Sequence, residues 1–191
     1  HDWGAQATYG AASSAPDRWR RVVAMAVPVG PALAGSFFTY DQIKRSFYMY
    51  FFQNPLADGL VAADDQAFIA RLWADWSPGY DAGEDLAHVR AALGTPENLG
   101  AALGYYRALF DPSRQSPELA AEQRAVSAVP PQPTLYLHGD QDGCMAADVS
   151  GTVRGVLPPG SDVAVVEGAG HFLHLERPDE VNRRIVGFLG G

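Results

Sequence analysis

The chain has 191 residues, 47% of them apolar and 11% aromatic, which fits one globular domain or a core carrying an inserted lobe. A formal charge of −8, with no basic cluster larger than Arg18/Arg20/Arg21, argues against a nucleic-acid or anionic-lipid partner, and no apolar run approaches the ~20 residues that span a membrane. The one cysteine, Cys144, excludes an internal disulfide and a cysteine-rich metal site; the expectation is a cytoplasmic protein handling a small molecule.

The first residues, His1-Asp2-Trp3-Gly4-Ala5, carry no secretory pattern and lead into small residues that suit a closely packed helix. A breaker-rich turn follows at 13–17, then Arg21 to Pro28, a short apolar run of the kind buried on both faces of a parallel sheet. From about Ala32 to Ser116 the character changes. Aromatics cluster at 37–52, and helical spacing recurs through 65–75, 83–93 and 96–110. In the last of these, Leu99, Leu103, Tyr106 and Phe110 form one apolar stripe, and Thr95 before Pro96 reads as an N-cap with proline at N1. The proline-rich stretch 127–133 returns the chain to alternating elements: a strand at 134–139, a turn at 140–143, a helix from 146 to 156, a strand at 162–166, a loop at 167–171 and a last helix from 178 to 189. That order implies parallel strands joined by right-handed crossovers. The division expected is a core segment 1–31, a helical cap 32–116 and the C-terminal part of the core, 117–191.

Chemistry in open parallel sheets gathers at the carboxyl ends of the strands. Three side chains sit there: Asp2, Asp142 and His171. A small-x-nucleophile-x-small turn between strand and helix holds its central side chain up in a strained conformation, and Asp2 with Gly4 beyond it fits that pattern. The five residues alone read equally as the polar start of a surface helix with Asp2 as its N-cap. Asp140 competes with Asp142 for the acid position. His138 and His174 read as packing or supporting residues, and His88 as solvated.

His1-Asp2-Trp3-Gly4-Ala5 resembles the elbow of the epoxide hydrolases and haloalkane dehalogenases, the branch of the α/β-hydrolases whose nucleophile is an aspartate. Gly139-Asp140-Gln141-Asp142 is similar to that family's acid turn, with the acid at the second aspartate, and Gly170-His171-Phe172 is similar to its histidine loop. The resemblance covers nearly the whole chain. It implies an α/β-hydrolase fold with an inserted helical cap, catalysis by Asp2, His171 and Asp142 with no cofactor or metal, and a small apolar epoxide or alkyl halide as substrate. An aspartate nucleophile suits an sp³ carbon, because the ester it leaves can be hydrolysed whereas a serine ether could not. The N–H of Trp3 would supply one oxyanion-hole donor. Tyr105-Tyr106-Arg107 resembles the second cap-tyrosine motif, with Tyr106 as the oxygen-activating residue. The first such motif is a tyrosine before Phe-Gln-x-Pro, and here Phe51 stands at that tyrosine, before Phe52-Gln53-Asn54-Pro55. Tyr48 and Tyr50 are the neighbours able to substitute, and Tyr48, Tyr50, Phe51 and Phe172 are the expected pocket residues.

Halide release would need N–H donors instead, the Trp3 indole and a cap tryptophan such as Trp73 or Trp76, both at polar positions expected to be exposed. The family's core has strands before the elbow, so a missing N-terminal segment is expected, with an inactive fragment or one half of a nicked hydrolase as the alternative from another class. A homodimer stays open.

Overall fold

The computed structural model describes residues 1–191. Three parallel strands form one sheet in the order β1 (Val22–Met25), β2 (Thr134–Gly139) and β3 (Asp162–Val166). Val22 pairs with Thr134 and Met25 with Leu137, while Leu135 pairs with Asp162 and Gly139 with Val166. β2, between the other two, is buried at all six positions. Its side chains alternate between two cores. Tyr136 lies with Ala5, Tyr9, Val149 and Val153 on one face, and Leu135 and Leu137 lie with Val166, Leu173 and Val181 on the other. A strand covered on both faces is mostly apolar, which is why Leu135-Tyr136-Leu137 reads as a continuous run, with the buried polar side chains of Thr134 and His138 hydrogen-bonded.

Helix α1 (Trp3–Ser14) buries Ala5, Tyr9 and Ala12. β1 is shorter than its apolar run, because Ala26 turns to a left-handed φ of 65° and the N–H of Val27 folds back onto the carbonyl of Met25. Next come α2 (Gly30–Phe37), α3 (Tyr40–Arg45), α4 (Phe47–Phe51), α5 (Ala57–Trp76), α6 (Gly83–Ala92) and α7 (Pro96–Phe110). Thr95 caps α7 through its side chain with Pro96 in the first turn. α5 is broken at its middle: Asp64, Asp65 and Gln66 take positive φ, a conformation costing roughly 1–2 kcal/mol per non-glycine residue. The helical spacing read from residue 65 onward therefore corresponds to the second half of α5. The boundary drawn at residue 32 falls inside α2, where Ala32 packs in the sheet core while Leu33 and Phe37 pack against the aromatic cap.

The return to the core runs through α8 (Ala120–Val126), which lies against α1 with Val126 over Gly10. α9 (Val149–Val156), the short α10 (Leu173–Glu176) and α11 (Pro178–Gly190) complete the chain. Val181, Ile185 and Phe188 form the stripe by which α11 covers the sheet. No helix is long and apolar enough to cross a membrane.

Candidate functional site

Asp2 stands at the head of α1 with φ 52° and ψ −125°. Such a backbone is strained for any residue with a Cβ and persists only where its surroundings fix it. Here the N–H of Asp2 donates to the carbonyl of Met25 at the end of β1, which sets the residue at the carboxyl edge of the sheet. Its carboxylate is held at both oxygens. The backbone N–H of Trp3 donates to Oδ1 at 2.7 Å, and Nε2 of His171 donates to Oδ2 at 3.1 Å.

His171 reaches this position from the loop after β3. Its Nδ1 donates to Oδ2 of Asp142 at 3.0 Å, so one imidazole links two carboxylates far apart in the sequence. Oδ1 of Asp142 accepts from the N–H groups of Cys144 and Met145 at 2.7 and 2.9 Å, which fixes the acid turn that follows β2. Asp140, the rival in that turn, lies exposed and accepts from the N–H of Ala169 at 3.3 Å, away from the imidazole. The turn and the histidine loop touch through backbone. A Cβ on Gly139 would come within 2.2 Å of the carbonyl of Gly170, so neither chain has room for a side chain there.

The charges follow from these contacts. Burial is the largest single influence on His171 and pushes its pKa down. The carboxylates of Asp142 and Asp2 together outweigh it and raise the pKa to about 9. Burial likewise pushes Asp2 up, but the bonds from His171 and from the N–H of Trp3 outweigh it and hold its carboxyl below the usual range. The resting site is therefore an imidazolium between two carboxylates. His138 is fully buried beneath it, accepting from the hydroxyl of Tyr136 at Nδ1 (2.6 Å) and donating from Nε2 to the carbonyl of Met145 (3.2 Å). Burial, the dominant cause, lowers its pKa and keeps it neutral. His174 is half-buried and packs against the ring of His1, and His88 lies exposed on α6.

Above Asp2 is a cavity of about 250 Å³, lined mainly by apolar side chains that include Trp3, Leu33, Phe37, Tyr48, Met49 and Tyr106. The rings of Tyr48 and Tyr106 meet edge to face with centroids 5.6 Å apart. Burial pushes both phenols well above their ordinary pKa, with the charge of Asp2 adding to the effect, so both remain protonated donors. The Tyr48 hydroxyl lies 3.6 Å from Sγ of Cys144. A larger, more polar cleft of about 840 Å³, bordered by Lys44, Arg45, Asp75 and Asp148, contains neither Asp2 nor His171.

Three residues expected in the pocket stand elsewhere. Tyr50 and Phe51 stand on α4 two and three positions after Tyr48 but do not border the cavity. Tyr50 packs half-exposed on Phe110, and Phe51 packs on Phe68 inside the cap. Phe172 stacks on Trp73 at 3.8 Å, beside the histidine loop instead of over Asp2. Trp73 and Trp76 are half-buried, not exposed as their polar neighbours suggested. Trp76 packs against Tyr48 and His171, and neither tryptophan lines the Asp2 cavity.

The helices between β1 and β2 hold the site through contacts that no residue pattern signals. The amide of Gln42 in α3, 2% exposed, donates to the carbonyl of Cys144 and accepts from the N–H of Ala146. Arg45 donates to the carbonyl of Asp142 at 2.9 Å. At the end of α5, the carbonyl of Trp76 accepts from the N–H groups of both Gly143 and His171. Ser77, one residue on, accepts from the N–H of Phe172 and donates to Glu176.

A doubly covered parallel sheet with a strained acidic turn at its edge, a run of helices between its first two strands and a strand-end histidine defines an α/β-hydrolase arrangement. The chain belongs to the α/β-hydrolase family, whose sequence profile matches residues 1–184. It is 24% identical over 197 residues to epoxide hydrolase 1 of Caenorhabditis elegans, covering 99% of this chain and 46% of that protein. Among solved structures it superposes on a Bacillus megaterium epoxide hydrolase crystallised with an inhibitor, with a TM-score of 0.75 and 22% identity, over 100% of this chain and 68% of the other. It also superposes on a haloalkane dehalogenase loop variant from Bradyrhizobium elkanii, with a TM-score of 0.74 and 20% identity, over 99% and 65%. The chain thus spans about half the length of the C. elegans relative and about two thirds of the two solved chains.

Proposed function

We propose that this site opens small apolar epoxides to vicinal diols through an ester on Asp2. The observation that carries the reading is the placement of one carboxylate between His171 and two protonated tyrosines at an apolar cavity. With Oδ1 held by the N–H of Trp3, Oδ2 is the attacking oxygen. It forms a bond to a ring carbon, the C–O bond breaks towards the ring oxygen, and that oxygen takes a proton from Tyr48 or Tyr106. The tyrosinate regains its proton from solvent.

Esterification removes the negative charge of Asp2 and with it one of the two supports of the imidazolium. His171 releases its Nε2 proton to solvent, turns from ion-pair partner into base, and draws a proton from water under the orientation imposed by Asp142. The hydroxide attacks the Asp2 carbonyl while the N–H of Trp3 stabilises the developing charge on Oδ1. Collapse expels the diol and restores the carboxylate, for a net addition of one water to the epoxide. Halide displacement uses the same first bond, but the second N–H donor expected from Trp73 or Trp76 does not border the cavity, which favours the epoxide.

The test is single-turnover mass spectrometry of the His171→Gln protein with an aryl epoxide and, separately, a bromoalkane. A mass increase equal to the whole epoxide, mapped to Asp2, is the expected result. An increase equal to the alkyl group without bromine would reassign the site to dehalogenation. Labelling by neither would leave the family and remove the activity.

A further inference from the structure

Cys144 takes no part in that reaction, yet it borders the same cavity. Its backbone is pinned on both sides, with the N–H bonded to Oδ1 of Asp142 at 2.7 Å and the carbonyl bonded to Nε2 of Gln42 at 2.8 Å. The thiol itself lies 3.6 Å from the Tyr48 hydroxyl, on the cavity wall that Asp2 also lines. One ligand atom each from Asp2, Cys144 and His171 lie within 4.8 Å of one another. Thiolate sulfur, imidazole nitrogen and carboxylate oxygen are the three donor types that zinc takes. The 3.1 Å between Oδ2 of Asp2 and Nε2 of His171 is close to the roughly 3.3 Å between two donors on a tetrahedral zinc with bonds of about 2.0–2.1 Å. Sulfur, bound at about 2.3 Å, needs to stand about 3.6 Å from each of them, which from a present separation of at most 4.8 Å is a closure of no more than about 1.2 Å.

We propose that Asp2, Cys144 and His171 form an inhibitory site for a thiophilic divalent cation of the zinc class. The cation would bind Oδ2, Sγ and Nε2, leaving the fourth position open to the cavity. The Cys144 thiol proton and the proton carried by Nε2 leave to solvent as the metal takes their electron pairs, and no oxidation state changes. The metal would then hold the two atoms assigned above as nucleophile and base. Its effect on turnover rests on that assignment, whereas the binding itself does not.

Cadmium provides the probe, because a cadmium–thiolate bond absorbs in the ultraviolet. Titration of the full chain should give the thiolate band at one cadmium per chain, release at least one proton per metal, and reduce epoxide turnover in parallel. Cys144→Ser keeps a small polar side chain beside Tyr48 but is a poor ligand for a soft metal. It should lose the band and raise the inhibition constant at least tenfold relative to its own uninhibited rate. His171→Gln, which keeps the thiol, should weaken cadmium binding by a similar factor. No band in the wild-type chain, an undiminished affinity in His171→Gln, or unchanged inhibition in Cys144→Ser would each overturn the site. A one-to-one band in a chain that turns over neither epoxide nor haloalkane would leave the metal site standing and defeat the proposed function instead.

Discussion

The N–H of His171 donates to the carbonyl of Trp76, 2.9 Å away, at the last residue of the cap helix α5. The same carbonyl accepts from Gly143 in the acid turn at 3.1 Å. One main-chain oxygen from the cap therefore ties together the two loops that carry the acid and the histidine. The end of α5 thus holds the loops of Asp142 and His171 to one another through the main chain.

Gly170 tests that coupling. A Cβ there would fall 2.5 Å from Cα of Ser77 and 2.6 Å from the carbonyl of Trp76, so Gly170→Ala must push α5 off the histidine loop. Overpacking of this kind costs about 1–3 kcal/mol. Thermal unfolding should show the loss, and turnover should fall tenfold or more because the imidazole moves with its loop. Gly100→Ala, in α7 with open space around it, is the control and should leave both unchanged or slightly raise stability.

The two phenols over Asp2 make separable predictions. Tyr48→Phe and Tyr106→Phe each remove one proton donor and nothing else from the cavity wall. Each should lower the rate of ester formation from an epoxide by about 10²-fold, the low end of what a positioned acid contributes, and the double variant should lose more. Phe51→Tyr in the Tyr48→Phe background should rescue nothing, because residue 51 packs on Phe68 and not on the cavity. Pre-steady-state quenching of labelled enzyme measures the step directly. Rescue by Phe51→Tyr would show that the cavity wall is drawn wrongly.

What the sequence disclosed and what it concealed divide along physical lines. Asp2, Asp142 and His171 were legible because strand ends and the glycines beside them leave a mark in the residue pattern, as at Gly139 and Gly170, where two backbones meet without room for a Cβ. The doubly covered strand β2 was legible for a similar reason, being apolar at successive positions. Tyr48 was harder to place. It was one of several aromatics, and tertiary packing rather than helical spacing decides that Tyr48, and neither Tyr50 nor Phe51, borders the cavity. The grip of the cap was not legible at all. Gln42, Arg45 and Trp76 bind loop residues 67 to 104 positions away, mostly through backbone carbonyls and N–H groups, and such partners leave no trace in residue identity.

Gln42 should matter more than an isolated cap glutamine would. Its buried amide donates to the carbonyl of Cys144 and the hydroxyl of Ser46 and accepts from the N–H of Ala146. Gln42→Leu fills the space but strands the buried carbonyl of Cys144, at about 1–3 kcal/mol for a buried group left unsatisfied, and frees the part-buried N–H of Ala146. Denaturant unfolding should register a loss in that range. Because the acid turn then loosens, turnover should fall as well, whereas Gln53→Leu, on the exposed side of the cap, should leave the acid turn intact and alter turnover little.

The dependence of stability on pH should bear the marks of two histidines with opposite shifts. The folded chain holds the His171 proton more tightly than the unfolded chain, whose ordinary value is 6.5. That stabilisation is complete below 6.5 and is lost as pH rises through about 9. His138 is held neutral by burial, so the unfolded chain binds its proton more readily, and its contribution is present above 6.5 and lost as pH falls below it. The melting temperature should therefore peak near 6.5 and decline on both sides, by about 2–4 °C for each kcal/mol in a chain of this size. His171→Gln should flatten the alkaline limb and leave the acid limb in place. Asp2→Asn should shift the alkaline limb to lower pH, since it removes one of the two carboxylates that hold the imidazolium. An alkaline limb unchanged in both variants would mean that His171 is neutral in the resting site and that the charge exchange with Asp2 does not occur.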